Sequence, residues 1–69
     1  MIIKARPGEL AKARLSEQMS QSTLAEKAAI SATTVSLLET GKQGAHPETA
    51  KRICAALNTD FDKIFTVEK

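Results

Sequence analysis

Small polar and apolar side chains alternate around one short segment of the chain, and their types and spacing give that segment two different faces. Thr33 and Ser36 are three residues apart, so they share a face of a predicted helix, and their hydroxyl groups can bond to base edges. Val35 and Leu38 have the same spacing and supply the apolar face that must turn toward a core. The outer face is therefore expected to contact a duplex groove rather than to perform covalent chemistry.

The sequence lacks the residue patterns of a catalytic centre. It contains no evident nucleophile–base pair, carboxylate dyad, metal-ligand cluster or phosphate-binding loop. His46 falls in a predicted loop with no second metal ligand at a useful spacing, and Cys54 falls on the apolar face of a predicted helix. We therefore expect no enzymatic activity, no metal and no cofactor.

Length and composition limit the classes of protein to which this sequence can belong. The 69 residues predict one domain spanning 1–69, with its core at 8–65 and terminal arms at 1–6 and 66–69. Ten basic and eight acidic residues give a net charge of +2, which permits nucleic-acid binding without proving it. The two aromatic residues, Phe61 and Phe65, are too few for a protein that stacks single-stranded bases. A single cysteine and the lack of an apolar span or signal peptide predict a cytoplasmic protein without membrane contact.

Start and stop signals divide the chain into five short helices. Pro7, Ser20, Ser31, Pro47 and Asp60 stand where these helices would begin. The first helix is predicted to start at residue 8 or 9 and to end at 18, and the others to span 21–28, 32–40, 47–57 and 61–65. The terminal segments 1–3 and 65–67 are β-prone, so we expect either frayed arms or a short strand pair that packs on the helices.

Between Leu10 and Ile64 the chain resembles the Cro/lambda-repressor-type helix-turn-helix family, also called the XRE family. The matching residues are Leu10, Arg14, Met19-Ser20-Gln21, Leu24-Ala25-Glu26-Lys27, Ile30-Ser31, Thr34-Val35-Ser36, Leu38-Glu39-Thr40-Gly41-Lys42 and Leu57. This resemblance implies an all-α, compact bundle of five short helices in which helices 2 and 3 form the helix-turn-helix. It also implies double-stranded operator DNA as the partner and a homodimer on a two-fold symmetric site, with the dimer contact in the loop before helix 4 and in 61–67.

The resemblance implies roles for particular residues. Two DNA-binding residues would stand at the start of helix 2, namely Gln21 and Ser22. Four residues of helix 3 would face the major groove, namely Ala32, Thr33, Ser36 and Leu37. Four more would approach phosphates, namely Thr34, Thr40, Lys42 and Gln43. Arg14 and Glu39 would form a buried ion pair that ties helix 1 to helix 3.

Three departures from the family pattern change what is expected. Ala29 stands where a glycine is usual, and an alanine in a left-handed turn is strained by about 1 kcal/mol or more, which would reshape the turn. Ala32 and Leu37 replace the longer polar residues that the family often carries, so we expect moderate specificity with a share from DNA shape. Pro47 falls two residues later than usual, which predicts a rebuilt loop before helix 4.

Other interpretations remain open at this point. The same fold serves protein-binding modulators of the antitoxin or anti-repressor kind, which would use Leu37 and 65–67 to grip a partner. Leu37 would then be part of a protein-binding patch instead of a contact for thymine methyl groups. Lys4 and Arg6 would either reach the DNA backbone or belong to a solvated end.

Overall fold

Five helices and two terminal strands make up the fold, as the sequence predicts. The computed structural model of the protein describes residues 2–68. The elements are β1 (Ile2–Ala5), α1 (Glu9–Ser16), α2 (Gln21–Ala28), α3 (Ala32–Glu39), α4 (Pro47–Leu57), α5 (Phe61–Ile64) and β2 (Phe65–Glu68). The prediction of a helical bundle with a short terminal β pairing is thus confirmed. None of the helices in 2–68 has the length and apolar character needed to cross a membrane.

Serine side chains begin both helices of the helix-turn-helix, as predicted. The backbone N–H of Thr23 donates to Ser20 Oγ at 3.0 Å, and that of Thr34 donates to Ser31 Oγ at 3.1 Å. Each bond satisfies one of the four backbone donors that the first turn of a helix leaves without a partner. The starting points of α2 and α3 are therefore fixed by local chemistry.

The turn between α2 and α3 keeps a left-handed residue despite the lack of glycine. Ala29 adopts φ 59° and ψ 42°, and its N–H and that of Ile30 bond back to the carbonyls of Glu26 and Ala25. A left-handed alanine costs roughly 1–2 kcal/mol relative to a right-handed one. The fold therefore carries this strain at Ala29.

The first helix begins at Glu9, as predicted, and ends earlier than predicted. Gly8, with φ 77°, is the residue that precedes α1, so Pro7 lies outside the helix instead of in its first turn. The helix ends at Ser16, two residues early, because Gln18 turns left-handed at φ 57°. The N–H of Met19 then bonds to the carbonyl of Arg14, and the Met19 side chain is buried. Burial of that side chain accounts for the early end.

The core is apolar, and every helix and strand contributes at least one buried side chain to it. The predicted inner face of α4 is buried, and α4 ends at Asn58 in the predicted left-handed conformation, φ 53°. Among 2–68 no polar or charged residue is fully buried. The core residues include Leu10, Leu24, Val35, Leu38, Ala50, Ile53, Cys54, Leu57, Ile64 and Phe65.

The two strands close the bundle by joining the ends of the chain. They are antiparallel, with Ile3 opposite Val67 and Ala5 opposite Phe65. Ile3 and Phe65 point into the core, where Phe65 is fully buried, and this packing supports a two-stranded pair that would be marginal alone. A single bridge also links Ile3 to Ala45, so the loop before α4 lies beside β1.

Candidate nucleic-acid interface

Helix α3 buries one face and leaves the other open. Val35 and Leu38 are 0% and 1% exposed. On the opposite side Ala32 and Thr33 are exposed, whereas Ser36 and Leu37 are half-buried. The outer surface of α3 therefore consists of two hydroxyl groups and two apolar side chains, without a charged group. Other protein atoms cover part of the Leu37 side chain, so its exposed apolar surface is smaller than the sequence suggests.

Hydrogen bonds within the protein occupy some hydroxyl groups of α3 and its ends, which makes those groups less available to an external partner. Thr34 is half-buried and its Oγ1 lies 2.8 Å from Ser31 Oγ. Thr40 is exposed, but its Oγ1 donates to the carbonyl oxygen of Leu37 at 3.2 Å. A phosphate oxygen needs a donor, so Thr40 must rotate its hydroxyl to bind one. Thr33 has no such internal partner among the described bonds.

The side chains of Arg14 in α1, Gln21 in α2 and Glu39 in α3 form one polar network. Arg14 Nε donates to Glu39 Oε2 at 2.8 Å, and Nη2 lies 3.4 Å from Oε1. Arg14 Nη1 also donates to the carbonyl oxygen of Met19 at 2.9 Å. The side chains of Arg14 and Glu39 are 12% and 10% exposed. The carboxylate of α3 is thus neutralised within the protein and adds little repulsion toward an approaching phosphate.

Gln21 is part of the same network, which sequence analysis did not foresee. Its Nε2 donates to Glu39 Oε1 at 3.1 Å. A carboxylate only accepts hydrogen bonds, so the amide nitrogen must face Glu39 and the orientation of the amide is determined. One N–H and the carbonyl oxygen of Gln21 remain for an external partner. Ser22, the next residue, is exposed.

The loop after α3 presents its side chains to solvent. Gly41 ends the helix with φ 76°, and the backbone N–H of Lys42 bonds to the carbonyl oxygen of Leu37 at 3.1 Å. Lys42 and Gln43 are both exposed. The structure thus places the predicted contacts at three adjoining places: the start of α2, the outer face of α3, and the loop that follows it.

Groups outside this surface are poor candidates for chemistry. Burial, with a smaller effect from the Asp60 carboxylate, raises the pKa of the Cys54 thiol, so the thiol stays protonated in the core. His46 is exposed at the start of α4, and its side chain does not cap that helix. Within residues 2–68, no three His, Cys, Asp or Glu residues gather as a metal site.

Comparisons with known proteins agree with this geometry. The model of the helix-turn-helix family matches residues 10–64. The crystal structure of the clp gene regulator ClgR from C. glutamicum is similar, with 26% identity, a TM-score of 0.72, and coverage of 78% of this chain and 70% of that chain. The crystal structure of the transcriptional regulator VanUg shares the fold at 23% identity and a TM-score of 0.73, covering 96% and 87%. No curated protein sequence gives a significant match.

Proposed function

Because this chain belongs to the XRE-type helix-turn-helix family, we propose that it binds specific sequences of double-stranded DNA as a transcriptional repressor or regulator of phage or plasmid type. The observation that carries the proposal is the open outer face of α3, where Thr33 is exposed and Ser36 half-buried. Helix α2 and the loop after α3 flank this face and would contact the phosphates on either side. A cytoplasmic location belongs to the proposal, since a regulator must share a compartment with its DNA.

Base recognition would depend on short side chains of α3. The major groove admits an α-helix, and hydroxyl groups at Thr33 and Ser36 can donate to or accept from base edges. Ala32 and Leu37 would contact thymine methyl groups. None of these four makes the two-bond contact by which arginine selects guanine or glutamine selects adenine. We therefore expect moderate specificity, with part of it read from the shape of the DNA.

Phosphate contacts would orient the helix. The exposed ammonium group of Lys42 and the amide of Gln43 lie just beyond α3, where the backbone of the groove would pass. Ser22 and the remaining N–H of Gln21 would contact the other wall from the start of α2, an end that carries partial positive charge. Thr34 and Thr40 would add hydroxyl contacts, Thr40 after its hydroxyl turns away from Leu37.

The proposal includes a homodimer on DNA. Two copies would bind half-sites about one helical turn, ~34 Å, apart. The expected contact between the two copies lies in the loop before α4 and in 61–67. In the second of these segments Val67 is 45% exposed. A two-fold symmetric protein would select a palindromic sequence.

Selection of bound duplexes from a random pool, at two salt concentrations, tests this function. The expected result is a short palindromic consensus with half-sites one turn apart, and weaker binding at the higher salt. The wild-type chain should be compared with a Thr33→Ala, Ser36→Ala variant, which should lose preference within each half-site while non-specific binding persists. A pool without enrichment, together with a stable complex with another protein, would refute the proposal in favour of a protein-binding modulator.

A further inference from the structure

Strand β1 brings a lysine to the C-terminal end of α3. Lys4 Nζ donates to the carbonyl oxygen of Gly41 at 3.4 Å, and Gly41 immediately precedes Lys42. We propose that Lys4 is a second phosphate-binding cation beside Lys42, which makes the N-terminal strand part of the DNA interface. This inference rests on the DNA binding proposed above.

The loop that carries Lys42 is held against β1. The backbone N–H of Ala45 donates to the carbonyl oxygen of Ile3 at 2.7 Å. At Gly44, an added Cβ would lie 2.9 Å from Cγ2 of Ile2 and 3.0 Å from the carbonyl oxygen of Ile3. A larger residue at this position would force β1 or the loop to shift, so the glycine favours this close approach. Lys4 and Lys42 therefore extend from two segments that are fixed to each other.

The end of α3 has few other sources of positive charge. Residues 32–39 contain no lysine or arginine. Several other cations of the described chain are engaged or lie elsewhere. Arg14 is paired with Glu39, Arg52 with Glu48, Arg6 Nε donates to the carbonyl oxygen of Asp62, and Lys12 and Lys63 line an open groove between α1 and α5. Lys4 and Lys42 thus place two cations at the C-terminal end of α3.

A purely structural role for Lys4 predicts a different behaviour. A cation near the last carbonyls of a helix stabilises that helix. The lysine ammonium has three donors, and the bond to Gly41 uses one, so two remain for phosphate oxygens. A helix-capping role would change the stability of the protein and leave the salt dependence of DNA binding unaltered, whereas a phosphate contact would change the salt dependence.

The test compares Lys4→Met with Lys12→Met, two variants with the same change in net charge; Lys12 is exposed on α1, outside the proposed DNA and dimer contacts. Affinity for a duplex obtained by selection is measured between 50 and 200 mM salt, and folding is checked by circular dichroism. Each lost phosphate contact should lower the slope of log K against log salt by about 0.9, or about threefold in affinity over this range. We expect two such losses for Lys4→Met, one in each half-site of the proposed dimer, and the wild-type slope for Lys12→Met. Equal slopes in both variants would overturn the role of Lys4, whereas salt-insensitive wild-type protein would overturn DNA binding itself.

A second measurement needs no variant and covers the case in which Lys4→Met fails to fold. The wild-type protein is acetylated with and without the duplex, and the modified lysines are quantified by mass spectrometry. Lys4 and Lys42 should become several-fold less reactive when DNA is present, and Lys12, which is exposed on α1, should not change. Unaltered reactivity of Lys4 alongside protection of Lys42 would overturn the inference while leaving DNA binding in place.

Discussion

The Arg14–Glu39 pair should be the most sensitive point of the fold. Arg14→Met removes the guanidinium group and leaves the Glu39 carboxylate with Gln21 as its remaining partner and the Met19 carbonyl without its donor. Breaking a buried pair by removing one partner costs about 3–5 kcal/mol. The side chains of Arg14 and Glu39 are still 12% and 10% exposed, so we expect a loss of unfolding free energy near the lower end of that range, about 3 kcal/mol.

That loss is large for a domain of this size. At about 0.05–0.15 kcal/mol per residue, a chain of 69 residues has a free energy of unfolding of about 3.5–10 kcal/mol. Urea denaturation followed by circular dichroism is the appropriate assay, since the chain has no tryptophan or tyrosine. Arg52→Met is the matched control. Its partner is Glu48 at 3.3 Å on the surface, and its loss should be within about 1 kcal/mol.

The double variant Arg14→Met, Glu39→Gln separates the pair from other effects of the substitution. With both charges gone, it should be more stable than Arg14→Met alone, and together with the single variant Glu39→Gln it should give a coupling energy of about 0.5–3 kcal/mol. If Arg14→Met loses no more free energy of unfolding than Arg52→Met, the network does not hold α1 to α3 and the reasoning is wrong.

Three further changes test local features of the fold. Ala29→Gly should raise the free energy of unfolding by about 0.5–1 kcal/mol in urea denaturation, because it relieves the left-handed alanine; a decrease would contradict that strain. Ser31→Ala should cost about 1 kcal/mol and shorten the start of α3, and an unchanged urea midpoint would count against the cap. Burial raises the pKa of the Cys54 thiol, so the thiol of the unfolded chain loses its proton at a lower pH than that of the folded chain. Stability should therefore fall above pH 9.0 more steeply in wild type than in Cys54→Ala. Parallel pH profiles of the two proteins would refute this.

Local signals in the sequence predicted most of the helix boundaries. Ser20 and Ser31 cap their helices, and Asn58 and Gly41 end theirs, because each effect involves residues only a few positions apart. The end of α1 was not predictable in this way. It requires a left-handed Gln18, and glutamine, unlike glycine or asparagine, is not a residue type that marks such a helix end.

Details of the candidate site depend on long-range contacts. The bond from Gln21 to Glu39 spans 18 residues, and the bond from Lys4 to Gly41 spans 37. The latter exists because β1 pairs with β2 and also accepts a bond from Ala45. A sequence with Lys4 near its start suggested an arm beside Arg6, whereas the strand directs Lys4 to α3 and Arg6 to α5. Periodicity identified the outer face of α3 but not how far Leu37 is covered.

Two exposed alanines allow a direct test of whether the outer face of α3 enters the DNA groove. Ala32 lies on that face, and Ala55 lies on the exposed side of α4. Ala32→Glu should weaken binding to a selected duplex by about 1–3 kcal/mol per half-site, at least about thirtyfold for two half-sites, while Ala55→Glu should bind nearly as the wild type does. Equal affinity of the two glutamate variants would contradict the account.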